Sequence, residues 1–416
     1  MASNSPRTLF KSLSALPIAL ALLSALSCSQ PPAMVSSNRT GASKDAKPDM
    51  KDQVSDEDQK SSDGDETDDK DKEEDKTDDK ETDKEKETEK VPDPILMDPA
   101  KEPEKSKFVP CVDQTDKCHP HVFVMADEPL HKILLVNLDD PSKDWDLDVP
   151  GGARDLQLIG DNKVLVGTLD GPGGYHEVDL TTGKILKSVT GFGGVQAVQR
   201  LANGNTLVMG SGLDGGRGMV VLEVDGNKKI LSKKEFPNVR DGRMVRQTKA
   251  GTFLMGTSTG QTDADVMLEM SSDNKELHRY PVNSWPAHFA LRAPNGDTVV
   301  ATGHGKTIRI FDKDSKMKKE IGGPSTPDAA AVNPNYSGHF FILPNGNYIL
   351  TNWQGHEKNL GAKGRQIVEY NAEGKLVWWW KQDAKRISAV HSILVLDNLD
   401  LSKPYSDANG VLEILK

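Results

Sequence analysis

The sequence predicts an all-β fold: a six-bladed β-propeller, with seven blades as the alternative count, closed by pairing the two ends of the folded region. Three observations predict it. A turn recurs at a near-constant interval, an apolar strand flanks each copy on either side, and the strands at the two ends add up to one complete unit. The stretch "LANGNTLVMGS" from Leu201 has counterparts in "TKAGTFLMGTS" from Thr248, "RAPNGDTVVATGHG" from Arg292 and "LPNGNYILTNWQGH" from Leu343. A more diverged copy, "IGDNKVLVGT", starts at Ile159. Measured at Asn162, Gly204, Gly251, Gly296 and Gly346, the steps are 42, 47, 45 and 50 residues, the length of one four-stranded blade.

Within each unit a third strand and a further turn follow: "HEVDLTTGKIL", "LEVDGNKKIL", "LEMSSDNKEL", "IRIFDKDSKMK" and "VEYNAEGKLVWWW". Turn signals of the Asn-Gly and Glu-Gly kind recur throughout, and no long helical periodicity interrupts them. Before the first full unit, "HVFVMAD", "KILLVNL" and "DWDLDV" give only three strands; after the last, "ISAVHSILVLDN" is a single strand with none of comparable strength behind it. Three and one complete a sixth blade. A ring closed this way leaves no open seam. Trp378, Trp379 and Trp380 alternate faces along their strand and are read as packing between blades.

The rest of the chain is different in kind. Residues 51–90 hold 20 Asp/Glu against 9 Lys, a net of −11 that equals the net charge of the whole chain. The remainder is balanced at 43 acidic and 43 basic residues, which gives no reason to expect nucleic-acid binding. Residues 1–27 read as an export signal: Arg7 and Lys11 precede an apolar run, Leu13 to Leu26, that is too short to span a bilayer comfortably. Residues 28–107 carry too little apolar surface to offset chain entropy and are expected to form a disordered acidic linker. The folded domain is expected over 108–416.

"ALSC", ending at Cys28, resembles the bacterial lipobox, in which the Cys is lipidated and becomes the new N-terminus. The chain has three Cys, so a lipidated Cys28 leaves Cys111 and Cys118 as an even pair for an oxidising compartment, and a disulfide between them is expected. "CVDQTDKCHPH" also places His119 and His121 nearby, but six residues between the Cys exceed ordinary zinc-ligand spacing, and the Cys-x-x-Cys-His of a c-type haem is absent. No metal is expected. The implied setting is a membrane-anchored protein facing the periplasm or cell surface.

The units resemble the repeats of bacterial quinoprotein-like (PQQ-repeat) β-propellers, on "VDLTTGKILKSV" (178–189) and "YNAEGKLVWWW" (370–380). The resemblance implies a docking turn whose Gly takes a positive φ while an aromatic packs against the next blade. "WPAHFALRAPNGDTVVATGHG" (285–305) and "SGHFFILPNGNYILTNWQGH" (337–356) are similar to arylsulfotransferase-type repeats, where a His precedes a Leu-Pro-Asn-Gly turn. No adjacent Cys pair and no calcium-ligand cluster of the quinone dehydrogenases is present, so no cofactor is expected. The propeller is preceded by a charged segment where the sulfotransferases carry a domain.

The first strand of each blade lines a propeller's channel. Eight residues before each turn stand Arg154, Gln196, Arg243 and His288; in the last two units the polar residue falls one place later, at His339 and His391. These six positions define a candidate ring at one depth, suited to an anion such as sulfate, phosphate or carboxylate. A one-residue offset turns a strand side chain to the other face unless a bulge intervenes, which bears on His339 and His391. Trp353, His356 and His304 follow second strands and are expected at the channel mouth. Two functions follow: a binding or scaffold propeller that takes a protein partner or small anionic ligand, or an arylsulfotransferase-like enzyme with His288, His339 and His391 as catalytic histidines.

Overall fold

The computed structural model describes residues 121–240, 242–257, 265–358, 360–382 and 386–416. The expected export signal, Cys28, the acidic linker and the Cys111–Cys118 pair lie outside the described residues.

Six four-stranded antiparallel sheets form the blades. Blade 1 takes its innermost strand, Val390–Val395, from the end of the chain and pairs it with Val122–Asp127, Lys132–Asn137 and Trp145–Asp148. Its register aligns Phe123 with Val395 and Met125 with Ile393, so the closing strand is fully buried. Each of the other innermost strands opens its own blade: Ala153–Gly160, Ala197–Arg200, Arg246–Gln247, Phe289–Arg292 and Ser337–Ile342, for blades 2 to 6. Six blades with ends paired in one sheet is the expected ring.

The recurrent turn works through torsion. Gly204, Gly251, Gly296 and Gly346 sit at φ between +80° and +86°, and a Cβ placed on any of them would meet nothing within 4 Å. Glycine is favoured there because an L side chain is strained at that φ, not because space is short. The docking turn is different. Gly183 has φ +63°, and a Cβ there would come within 2.8 Å of the Trp145 ring of blade 1, whose indole N–H donates to Leu180 O at 2.8 Å. The aromatic of one blade is thereby seated on the turn of the next.

At the seam, Trp380 and Trp378 pack edge-on against Phe123, with centroids 5.4 and 6.5 Å away, while Trp379 on the opposite face lies under the Arg365 guanidinium. The alternation is the one the sequence suggests. His121 bridges the same seam, its Nδ1 at 2.5 Å from Asp397 and its Nε2 at 2.9 Å from Glu369.

One element goes beyond the sequence reading. After the closing strand, Tyr405–Asn409 and Val411–Ile414 form a two-stranded hairpin. It crosses the lower end of the channel. Gln157 of blade 2 donates to Tyr405 O at 2.8 Å, and Lys249 N, beyond blade 4's inner strand, donates to Ala408 O at 3.1 Å. Val411 packs in the core shared by blades 3 to 6. The hairpin escapes detection because it is short and only partly apolar, and it is held mainly by polar contacts.

Candidate functional site

The innermost strands run from the upper mouth down toward the hairpin, so their first residues meet at the top. There a cavity of about 280 Å³ is lined by Arg154, Gln196, Arg243, His288 and His391, with Trp353, His356 and His304 from the loops after second strands. Eight of the nine residues suggested for the channel and its mouth therefore share one hollow.

His339 does not line it. Bulges do interrupt the register in both offset strands: Gly338 and His339 stand opposite Thr351 alone, and His391 is the extra residue between Val390 and Ser392. A bulge inserts a residue and re-aims the side chains around it. For His391 the outcome is a place in the cavity wall. His339 is instead buried against Phe289, ring centroids 4.2 Å apart, with neither ring nitrogen hydrogen-bonded.

Five further residues of the wall were not singled out from sequence: Glu128, Tyr336, Trp285, Pro286 and Leu169. Glu128 follows the second strand of blade 1, the place equivalent to Thr302–His304 in blade 5 and Trp353–His356 in blade 6. The rule that marks those loops finds Glu128 once it is applied to the blade divided between the chain ends.

The two upper arginines differ in what holds them. Arg154 donates to Glu128 at 2.5 Å and to Gln196 Oε1 at 3.1 Å, and both carboxylate and guanidinium are buried. Its charge is thereby matched. Arg243 is half-buried, has no carboxylate partner among the described residues, and lies over the Trp285 ring at 5.6 Å. Trp285 in turn stacks on His304 at 5.6 Å and 12°.

The two histidines of the cavity floor are neutral. His288 is 1 % exposed, and burial, helped by the charges of Arg154 and Arg243, pushes its pKa down to about 3 against the hydrogen bond to Gly338 O. Burial, followed by the Arg154 charge, likewise holds His391 well below its ordinary range. Each ring's Nδ1 is bound to a backbone carbonyl, His288 to Gly338 O at 2.7 Å and His391 to Arg154 O at 3.2 Å. A carbonyl only accepts, so Nδ1 carries the proton and Nε2 keeps its lone pair. The rings meet edge to face, 5.0 Å apart. Tyr336, which packs against His288 at 5.2 Å, is held protonated by burial, its pKa pushed up. A ring of cations was the sequence reading of these positions. With neutral imidazoles and Arg154 matched by Glu128, Arg243 carries the uncommitted charge.

The fold and this cavity define a β-propeller with a hollow at one end of its axis and a hairpin across the other. No protein-family model and no curated protein matches the chain. Among solved structures, it is similar to a protein of unknown function from Bacteroides caccae, at 20% identity over 67% of this chain and 100% of that one, with a TM-score of 0.55. It is also similar to the virginiamycin B lyase of Staphylococcus aureus (12% identity, 71% and 90% covered, TM-score 0.41) and to the WD40 β-propeller domain of Doa1 (16%, 64% and 77%, 0.41). At these identities the likeness is one of fold.

Proposed function

We propose that this protein is an exported, lipid-anchored β-propeller that binds a small anionic molecule in its upper cavity. The observation that carries the reading is Arg243: a guanidinium at a partly enclosed hollow, with aromatic walls and no carboxylate partner among the described residues. Excluding water there strengthens an anion's attraction to Arg243. Tethering rests on the sequence alone, on the apolar run before Cys28 and the charged stretch after it. The test has two arms. Sodium sulfate or phosphate is expected to raise the melting temperature of the wild type and not of Arg243→Gln, with sodium chloride as the ionic-strength control. An equal rise in both proteins would contradict the reading. Cys28→Ala is expected to move the protein from the membrane fraction to the soluble one.

A second reading, sulfuryl transfer, is favoured by the geometry of His288. Its Nδ1–H is anchored on Gly338 O, which leaves Nε2 as a nucleophile on the cavity side. Nε2 would attack the sulfur of an aryl sulfate, the aryl O–S bond would break with its electron pair leaving on the phenolate, and an acceptor phenol would then displace the imidazole from sulfur, giving up its proton to that phenolate. Transfer from an aryl sulfate to a phenol by wild type and its loss in His288→Ala would establish this reading over simple binding.

A further inference from the structure

The cavity floor and its rim ask for opposite things. Two neutral imidazoles on the floor have Nδ1 bound to backbone carbonyls, so that both present Nε2 as hydrogen-bond acceptors. Unlike the nitrogens of His339, neither Nε2 is sealed from solvent. An anion pushed down to this level would meet two lone pairs and the buried Glu128 carboxylate, whose Oε2 has no donor, beside an Arg154 guanidinium whose charge Glu128 already matches. Among the described residues Arg243 has no carboxylate partner, and it lies against Trp285, a residue still 46 % exposed. Between them the wall is aromatic: Tyr336 and Trp353 meet at 5.2 Å, and His304 meets Tyr336 at 4.9 Å.

We infer that the ligand is a two-ended aromatic monoanion: a planar ring whose anionic group pairs with Arg243 and whose opposite end is a hydroxyl or amino donor received by His288 and His391. The inference rests on the anion-binding reading above and adds the second end. Its physical basis is the asymmetry of polar recognition. A site built to accept a hydrogen bond discriminates strongly against an analogue that lacks the donor, because its buried acceptors then stay unpaired.

Three probes of nearly equal size separate the terms: 4-hydroxybenzoate, 4-methoxybenzoate, which lacks the donor, and 4-hydroxybenzamide, which lacks the charge. Titration followed by tryptophan fluorescence or calorimetry is expected to rank 4-hydroxybenzoate first, with each of the others about tenfold weaker or more, a loss on the scale of one hydrogen bond to a buried group. Arg243→Gln is expected to erase the preference over the benzamide and to keep the preference over the methoxy compound. Equal binding of the hydroxy and methoxy compounds overturns the inference, and if sulfate still stabilises the protein through Arg243, the anion-binding reading survives it. Binding of none of the probes, together with no sulfate effect, overturns both.

Discussion

At the lower end of the channel, Arg246 donates to both oxygens of Asp155, at 2.6 and 2.8 Å, and through Nε to Asp407 of the hairpin at 2.8 Å. At the upper end, Arg243, three residues earlier on the same blade, touches only an aromatic ring among its described charged and ring contacts. The lower arginine is buried at 3 % exposure and its charge is outnumbered; the upper one is half-buried, with no carboxylate partner among the described residues. The amides follow the same division. Gln157 both donates to Tyr405 O and accepts from Arg200 N, and Gln199 and Gln247 are joined by a pair of bonds, whereas Gln196 above gives its carbonyl to Arg154. The lower end also has the larger hollow, about 690 Å³ beside the hairpin. Volume alone would place a ligand there. The chemistry places it above, because Arg246 at the lower end is paired with Asp155 and Asp407, whereas Arg243 at the upper end has no carboxylate partner among the described residues. A closed polar network holds structure together, and an unsatisfied one is where a ligand adds something.

That comparison can be broken at several points. The largest effect is expected from removing residues 387–416, which takes away both the closing strand of blade 1 and the hairpin. Cooperative unfolding in denaturant should be lost, because Phe123, Met125 and their neighbours would face an unpaired sheet edge. A truncated chain that melts like the whole domain would refute the ring closure. Arg246→Met should come next, at about 3–5 kcal/mol of lost stability, since it strands two buried carboxylates without a counter-charge.

The blade 1–blade 6 seam gives a pH-dependent effect. Burial opposes a charge on His121, but hydrogen bonds from its protonated ring to Asp397 and Glu369 outweigh it and raise the pKa to about 9. A histidine stabilised in its charged form contributes fully below its ordinary pKa near 6.5, and the contribution is lost as pH rises through about 9. Stability from this group, on the order of 3 kcal/mol, should therefore fade between about pH 7 and 9.5. Melting temperatures of wild type and His121→Gln should converge over that interval; a constant difference would remove the seam from the account. The smallest effect is reserved for Arg243→Gln, expected to shift stability by less than about 0.5 kcal/mol, as for a substitution away from any buried network. Two arginines three residues apart would then differ severalfold in structural weight.

The sequence reveals the blades because they are written in a short period: a turn whose positive φ favours glycine, with apolar strands on either side of it. It also reveals most of the upper cavity, since equal offsets from that turn bring Arg154, Gln196, Arg243 and His288 into one hollow. His339 breaks the pattern because a bulge beside Thr351 re-aims it, and nothing local in "SGHFFI" marks where the extra residue sits. The protonation of the floor is likewise hidden. His288 and His391 read as potential cations until burial and their carbonyl partners are known. Arg246 and Asp407 lie 161 residues apart, and the hairpin that joins them has no repeat to announce it.

The most direct test is a crystal structure of the protein with 4-hydroxybenzoate bound. The expected result is one ring in the upper cavity, its carboxylate on Arg243 and its hydroxyl against His288 and His391, with the Arg246–Asp155–Asp407 network unchanged. A ring lodged instead in the larger hollow beside the hairpin, or a carboxylate that displaces Asp407 from Arg246, would contradict the division of the channel into a ligand site above and a structural seal below.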